Sequence, residues 1–269
     1  MPTEELKKVR EVLGREVPID SLTSLKQALS ARSTLSSEEF DAAVIALDAN
    51  VLLNIAKGRK APEIIDYLGQ RHAGPIILPS QVVQEFWNNQ MSAVQGVADR
   101  VRQAFDSLSK VVREIDPAFA ASLQSKAEVI VQEFVDEFGH VLDERTAGDV
   151  SALIDMLVNR AICAQVPRSD FRDLARQRKS TKTPPGFKDD GDGDFFVWAD
   201  LLLGIAEARV SGSQFQHVIL ITEDVKKDWS TKGTTHPILV AEVQALVGAG
   251  FHTWNLNALE RSVAERLGS

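Results

Sequence analysis

The sequence predicts an α/β fold: a parallel-sheet α/β/α sandwich with a long helical insert and an N-terminal helical extension. Three observations lead there. Val44–Leu47, Pro75–Leu78 and His217–Ile221 are short, almost continuously apolar runs, and Phe251–Trp254 is a weaker fourth; strands covered by helices on both faces have this character. Longer stretches with helical spacing separate the runs, as right-handed βαβ connections require. The long interval from Phe86 to Gly193 holds no convincing strand, so it reads as a helical insert or lid on the sheet.

Taken in order, residues 1–43 look helical and form an extension, with Ser36 and Glu39 at the spacing of a capping box. The domain proper spans 44–269, with its insert at about 90–185. Ser80, after Pro79, can cap a helix that enters Gln81-Val82-Val83-Gln84-Glu85-Phe86-Trp87. Leu123, Ala127, Ile130, Phe134, Phe138 and Val141 recur at spacings of 3 and 4 and mark one face of a long helix. Another helix is expected over Val150–Ala164. Lys179–Gly193, rich in Pro, Gly and charge, reads as a mobile loop. Phe195–Ala208 is apolar enough to be buried on most sides. Trp198 is expected in the core, and Trp229 in packing that fixes the loop after Asp224.

Composition narrows the function classes. The chain of 269 residues is 44% hydrophobic and 25% charged, which is ordinary globular composition. No apolar run approaches the ~20 residues that span a bilayer. The charged N-terminus lacks the apolar core of a signal peptide. A soluble, cytoplasmic chain with no membrane partner is expected. Cys163 is the single cysteine, which excludes an internal disulfide or a cysteine-based zinc site. The formal net charge of −8 argues against a globally basic nucleic-acid binder. Locally the balance reverses: Arg168, Arg172, Arg176, Arg178, Lys179, Lys182 and Lys188 face only Asp170 and Asp173. The four acids of Asp189–Asp194 follow directly. Read electrostatically, Arg176, Arg178, Lys179 and Lys188, with Lys226 and Lys227, guide a substrate backbone toward an acidic site.

The acids fall where such a sheet binds ligands. Asp48 follows the first strand, Asp224 lies three residues after the third, Glu85 sits in the helix leaving the second, and Asp194 opens the apolar helix before the third. Open α/β sheets bind ligands outside the carboxyl ends of their strands. Converging carboxylates repel unless a cation lies between them, and an all-oxygen donor set selects Mg²⁺ or Mn²⁺. Two such ions ~4 Å apart can activate water and stabilise the leaving oxygen in phosphodiester cleavage. Singly, each acid also reads as a helix cap, a turn residue or a solvated position. Asp190, Asp192 and Asp194 have D-x-D-x-D spacing, but Phe195 and Leu201 stand where an EF-hand needs Gly and Glu. Gly58-Arg59-Lys60 lacks P-loop spacing. Asp48-x-Asn50 lacks the second acid of an aspartyl-phosphate motif.

The strings Ala46-Leu47-Asp48-Ala49-Asn50-Val51-Leu52-Leu53, Leu78-Pro79-Ser80-Gln81-Val82-Val83-Gln84-Glu85-Phe86, Gly193-Asp194-Phe195-Phe196-Val197-Trp198 and Ile221-Thr222-Glu223-Asp224 resemble, in order, the four acidic motifs of PIN domains. Pro184-Pro185-Gly186-Phe187-Lys188-Asp189 and Asp224-Val225-Lys226-Lys227-Asp228-Trp229 are similar to a bacterial PIN-like branch with a long helical insert. The resemblance covers roughly Val44 to Leu259. It implies metal-dependent endonuclease activity, mostly on RNA, with Asp48, Glu85, Asp194 and Asp224 as catalytic metal ligands and Asn50 and Thr222 supporting them. Asp190, in the acidic crowd before the third motif, is a further candidate ligand. The chain departs from the pattern in its length, in residues 1–43 and in Glu223, which stands where a smaller residue is common.

The expected function is thus a Mg²⁺- or Mn²⁺-dependent nuclease acting on RNA, or on single-stranded DNA. The alternative is a non-catalytic PIN-like module that binds RNA or a protein. A homo-oligomer or an inhibitory partner is compatible with either.

Overall fold

The structure, a computed structural model, describes residues 3–30, 35–93, 97–114, 116–134, 140–188, 190–224, 226–231 and 233–268. Three helices, α1 (Glu4–Leu13), α2 (Ser21–Ser30) and α3 (Ser37–Ala42), lead into β1 (Val44–Leu47). Helices α4 (Ala49–Lys57) and α5 (Ala61–Asp66), the latter continued by a π-helical turn at Tyr67–Arg71, connect to β2 (Ile76–Pro79). Then come α6 (Ser80–Ala93), α7 (Val97–Arg113), α8 (Pro117–Phe134) and α9 (His140–Arg160), followed by β3 (Ala161–Ala164). Helices α10 (Arg168–Ser180) and α11 (Gly193–Val210) precede β4 (His217–Ile221). The short antiparallel strands β5 (Ser230–Thr231) and β6 (Thr234–Thr235), α12 (Pro237–Val247), β7 (Gly250–Trp254) and α13 (Leu256–Leu267) complete the chain.

Two compact units result: Met1–Phe86 with Leu153–Ser269, and Trp87–Ala152. The first holds the sheet, whose five strands run in the order β3-β2-β1-β4-β7, all parallel. Strand order reverses between β1 and β4. Helices α4 and α5 join β1 to β2 in one direction, whereas α11 and α12 serve connections running the other way; right-handed crossovers therefore put the two sets on opposite faces. The expected α/β/α sandwich is the architecture found. The capping box at Ser36 and Glu39 forms and starts α3.

Helix α11 is the core helix. Twelve of its residues are buried, Trp198 completely. Gly204 lets it sit close to the sheet, because a β-carbon there would meet Ile77 Cγ2 at 2.6 Å.

Several expectations are corrected. The last four residues of the helix expected over Val150–Ala164 are strand β3, paired with β2 from Ile76↔Ala161 to Pro79↔Ala164. Hence the interval from Phe86 to Gly193 does contain a strand. Residues 153–185, expected within the insert, lie in the sheet-bearing unit. Of the helix expected through Leu123–Val141, Leu123–Phe134 lies in α8 and Val141 in α9, while Phe138 falls outside the described residues; Ile130, expected on its covered face, is exposed. In the smaller unit α7 and α8 pack together, and Asp116 starts α8 by accepting from the backbone N–H groups of Ala118 and Phe119.

Candidate active site

The carboxyl ends of β1 and β4, where strand order reverses, hold the first part of the site. Leu47 pairs with Ile221, and the next residue on β1's side, Asp48, donates its backbone N–H to Ile221 O at 3.0 Å. Asp48 is the N-cap of α4, and its Oδ1 accepts from Ala49 N at 2.7 Å. So the capping role weighed for this residue is real, and it leaves Oδ2 for the Thr222 hydroxyl, which donates to it at 2.7 Å. The same hydroxyl accepts from Asp224 N at 3.0 Å. Thr222 therefore fixes two acids from two strands at once. Burial pushes the Asp48 carboxyl above its usual range; the Thr222 and Ala49 hydrogen bonds oppose this, the Asp224 charge adds to it, and Lys226 offsets it.

Lys226 joins the remaining aspartates. Its ammonium lies 3.1 Å from Asp224 Oδ2 and 3.2 Å from Asp194 Oδ2. Asp194, in the first turn of α11, does not serve as the cap of that helix; its Oδ2 also accepts from the Trp229 indole N–H at 3.2 Å. Glu85, on α6, accepts from Gln81 Nε2 at 3.1 Å. Its Oε1 lies so close to Gly193 that a β-carbon there would meet it at 3.0 Å. The four sequence-predicted acids thus reach one another through Thr222, Lys226 and the start of α11. Among the described residues, however, no three acidic, His or Cys side chains form a ready metal cage, and a lysine ammonium stands between two of the acids.

Other expected residues lie elsewhere. The Asp190 side chain is exposed, and its backbone carbonyl accepts from Lys179 Nζ at 2.8 Å. Asp189 lies outside the described residues. Asn50 is exposed in the first turn of α4. Glu223 turns to the backbone N–H of Leu256 at 2.7 Å. A cavity of about 330 Å³ adjoins Asp224, with Thr222, Asn255 and Arg261 in its lining.

The basic strip needs the larger correction. Arg178, expected to bind substrate, is 4% exposed and inside the protein. Its Nη1 and Nη2 donate to Glu242 Oε1 and Oε2 at 2.7 and 3.1 Å, and it also donates to Leu13 O and Pro184 O. Arg168 is likewise bound, bidentate on buried Asp200 at 2.7 and 2.8 Å. Lys179 holds the backbone carbonyls of Asp190 and Gly191. Arg176, Lys188 and Lys227 remain exposed, Arg176 within 3.6 Å of Asp173.

Sequence reasoning missed two supports. Trp229 is buried as expected, but its indole N–H also holds a candidate ligand. Asp228, completely buried, accepts from Gly186 N at 3.0 Å. Gly186 has φ +84°, and a β-carbon on it would meet Asp194 Cβ at 3.2 Å. The two quoted strings, Pro184–Asp189 and Asp224–Trp229, are thereby tied together behind Asp194. Their joint presence was the available signal.

A family model described as PIN like domain matches residues 44–241. No curated protein and no solved structure matches the chain.

Proposed function

This chain belongs to the PIN-like domain family, and from that premise we propose that it is a Mg²⁺- or Mn²⁺-dependent endonuclease hydrolysing phosphodiester bonds, in RNA by preference and in single-stranded DNA as the second substrate. PIN domains are generally nucleases, bind nucleic acids and typically use divalent metals. Among the described residues no helix is long and apolar enough to cross a membrane. The observation that carries the reading is the gathering of Asp48, Asp224 and Asp194 at the strand-order reversal, with Thr222 bridging two of them.

The residues fit a hard divalent cation. Every donor is a carboxylate oxygen, and a cationic group, the Lys226 ammonium, already stands between Asp194 and Asp224. Asp48, Glu85, Asp194 and Asp224 would hold the ion. When bound, it supplies charge neutralisation at the phosphate and a water acidic enough to attack at neutral pH.

The chain's own residues set the stage. Thr222 keeps Asp48 and Asp224 in one orientation, Trp229 does so for Asp194, and Gln81 for Glu85. Arg176, Lys188 and Lys227 guide the strand's phosphates. The nuclease domain is taken as residues 44–269, preceded by the extension 1–43.

The test is cleavage of labelled RNA and single-stranded DNA with and without Mn²⁺, by wild type and by Asp48→Asn, Glu85→Gln, Asp194→Asn and Asp224→Asn. Each substitution should cut the rate by roughly a hundredfold or more, while relief of repulsion leaves the fold intact. Wild-type rates in two or more variants would dismiss the four-acid site. Binding without cleavage by the wild type would identify a non-catalytic module instead.

A further inference from the structure

Lys226 is more than a surface cation near the site. Its ammonium contacts Asp194 and Asp224, two carboxylates from different elements, at 3.2 and 3.1 Å. The contact sits where those acids would need positive charge.

The backbone beneath it is pinned. Lys226 N donates to Asp224 Oδ1 at 2.8 Å, and Lys226 O accepts from Trp229 N and Ser230 N, both at 3.1 Å. Asp228, two residues on, is buried and holds Gly186 N. The side chain, by contrast, is 38% exposed on a flexible four-carbon stem. Rotation of that stem can carry the ammonium away while the backbone bonds of Lys226 to Asp224, Trp229 and Ser230 remain. Asp194 keeps its Trp229 donor and Asp224 keeps Lys226 N, so both acids stay in place when the ammonium leaves.

We propose that Lys226 is an exchangeable internal counter-ion: it partly neutralises Asp194 and Asp224 in the metal-free chain, and a divalent cation must displace it to bind. The inference rests on the metal-dependent reading above and adds a regulatory consequence. The site is held folded, with its negative charge partly offset, without metal, at the cost of a weakened metal affinity. The exchange sets the ion concentration at which the site fills.

The experiment is calorimetric titration of Mn²⁺ into the full-length chain, nucleic acid absent, for wild type, Lys226→Met, Lys226→Arg and Lys227→Met. Lys227 is exposed and adjacent, so its removal changes the net charge equally without touching the acids. Lys226→Met should bind Mn²⁺ about tenfold or more tightly than wild type, because a unit charge in contact with the ligands is gone. Lys226→Arg should stay near wild type, and Lys227→Met should shift by less than about twofold, since exposed charges are screened. In metal-free buffer Lys226→Met should melt lower than wild type and recover on adding Mn²⁺. Lys226→Gln replaces Lys226→Met if the latter does not fold. Equal or weaker Mn²⁺ binding by Lys226→Met, or by Lys226→Gln in its place, would overturn the exchange while leaving the metal site standing. An equal gain in Lys227→Met would reduce the effect to net charge and overturn it too. No Mn²⁺ binding by any of these proteins would remove the metal reading itself, and the exchange with it.

Discussion

Arg178→Ala separates a substrate-guiding cation from a structural one. The guanidinium is 4% exposed and its partner Glu242 is fully buried. Two parallel hydrogen bonds join them, and Glu242 Oε2 also accepts from the Trp198 indole at 2.7 Å. Burial pushes the Glu242 carboxyl above its usual range, and the Arg178 charge is the largest influence opposing this. Deleting Arg178 leaves an uncompensated acid among apolar side chains, which costs about 3–5 kcal/mol. For a chain of this size that is a melting shift of roughly 6–10 °C, at ~2 °C per kcal/mol. The loss should deepen as pH rises, since a carboxyl with a raised folded pKa favours folding only while protonated. The double variant Arg178→Met with Glu242→Leu should regain most of the stability, because it removes both charges. Arg176→Ala, at an exposed position, should melt like wild type. The assay is thermal unfolding from pH 5 to 8, with the salt dependence of RNA binding measured alongside. If Arg178→Ala melted normally and lost RNA affinity with a flattened salt slope, the structural assignment would be refuted and Arg178 would return to the substrate strip.

Other outcomes follow from single contacts. Trp229→Phe keeps the ring that packs edge-on against Trp198, with centroids 6.0 Å apart, but deletes the donor to Asp194; it should fold normally and lose between about ten- and a hundredfold in cleavage rate, and a wild-type rate would remove Trp229 from the site. Gly186→Ala and Gly212→Ala share a positive φ, +84° and +94°, and each should lose about 1–2 kcal/mol from backbone strain. Only Gly186→Ala, whose β-carbon would press on Asp194, should also lose activity; equal activity in both would show that Asp194 tolerates the push. Burial lowers the pKa of His72 and of His252 to about 4. Both stay neutral when folded, so stability should be level above about pH 6.5 and fall as pH drops toward 4, where the unfolded chain binds the extra protons. His72→Gln should make that acid limb shallower in denaturant titrations, and an unchanged limb would show that His72 does not contribute to it.

What the sequence discloses and what it hides have separate physical causes. Asp48 and Asp224 are legible because continuous apolar runs locate buried parallel strands, and ligands gather at their carboxyl ends. Strand β3 is not legible: Ala161-Ile162-Cys163-Ala164 is four residues long, follows α9 directly and lies at the sheet edge, where only Ala164 is buried. Such a segment has neither the length nor the burial that marks a central strand. The fate of the basic strip was written in the pattern, though not in its charge count. Phe171, Ala175 and Arg178, spaced by 4 and 3, share the buried face of α10. Asp200 and Glu242 are each the acid enclosed by apolar neighbours in a buried helix, α11 and α12. A carboxylate in that setting requires a cation, and the strip supplies Arg168 to one and Arg178 to the other. Burial decides the role: Arg168 and Arg178 answer the buried acids, and the cations left exposed, Arg176, Lys188 and Lys227 among them, are ones a phosphate backbone can reach. Lys226 obeys the same electrostatics at the site, but its flexible, part-exposed stem leaves its charge available to be exchanged.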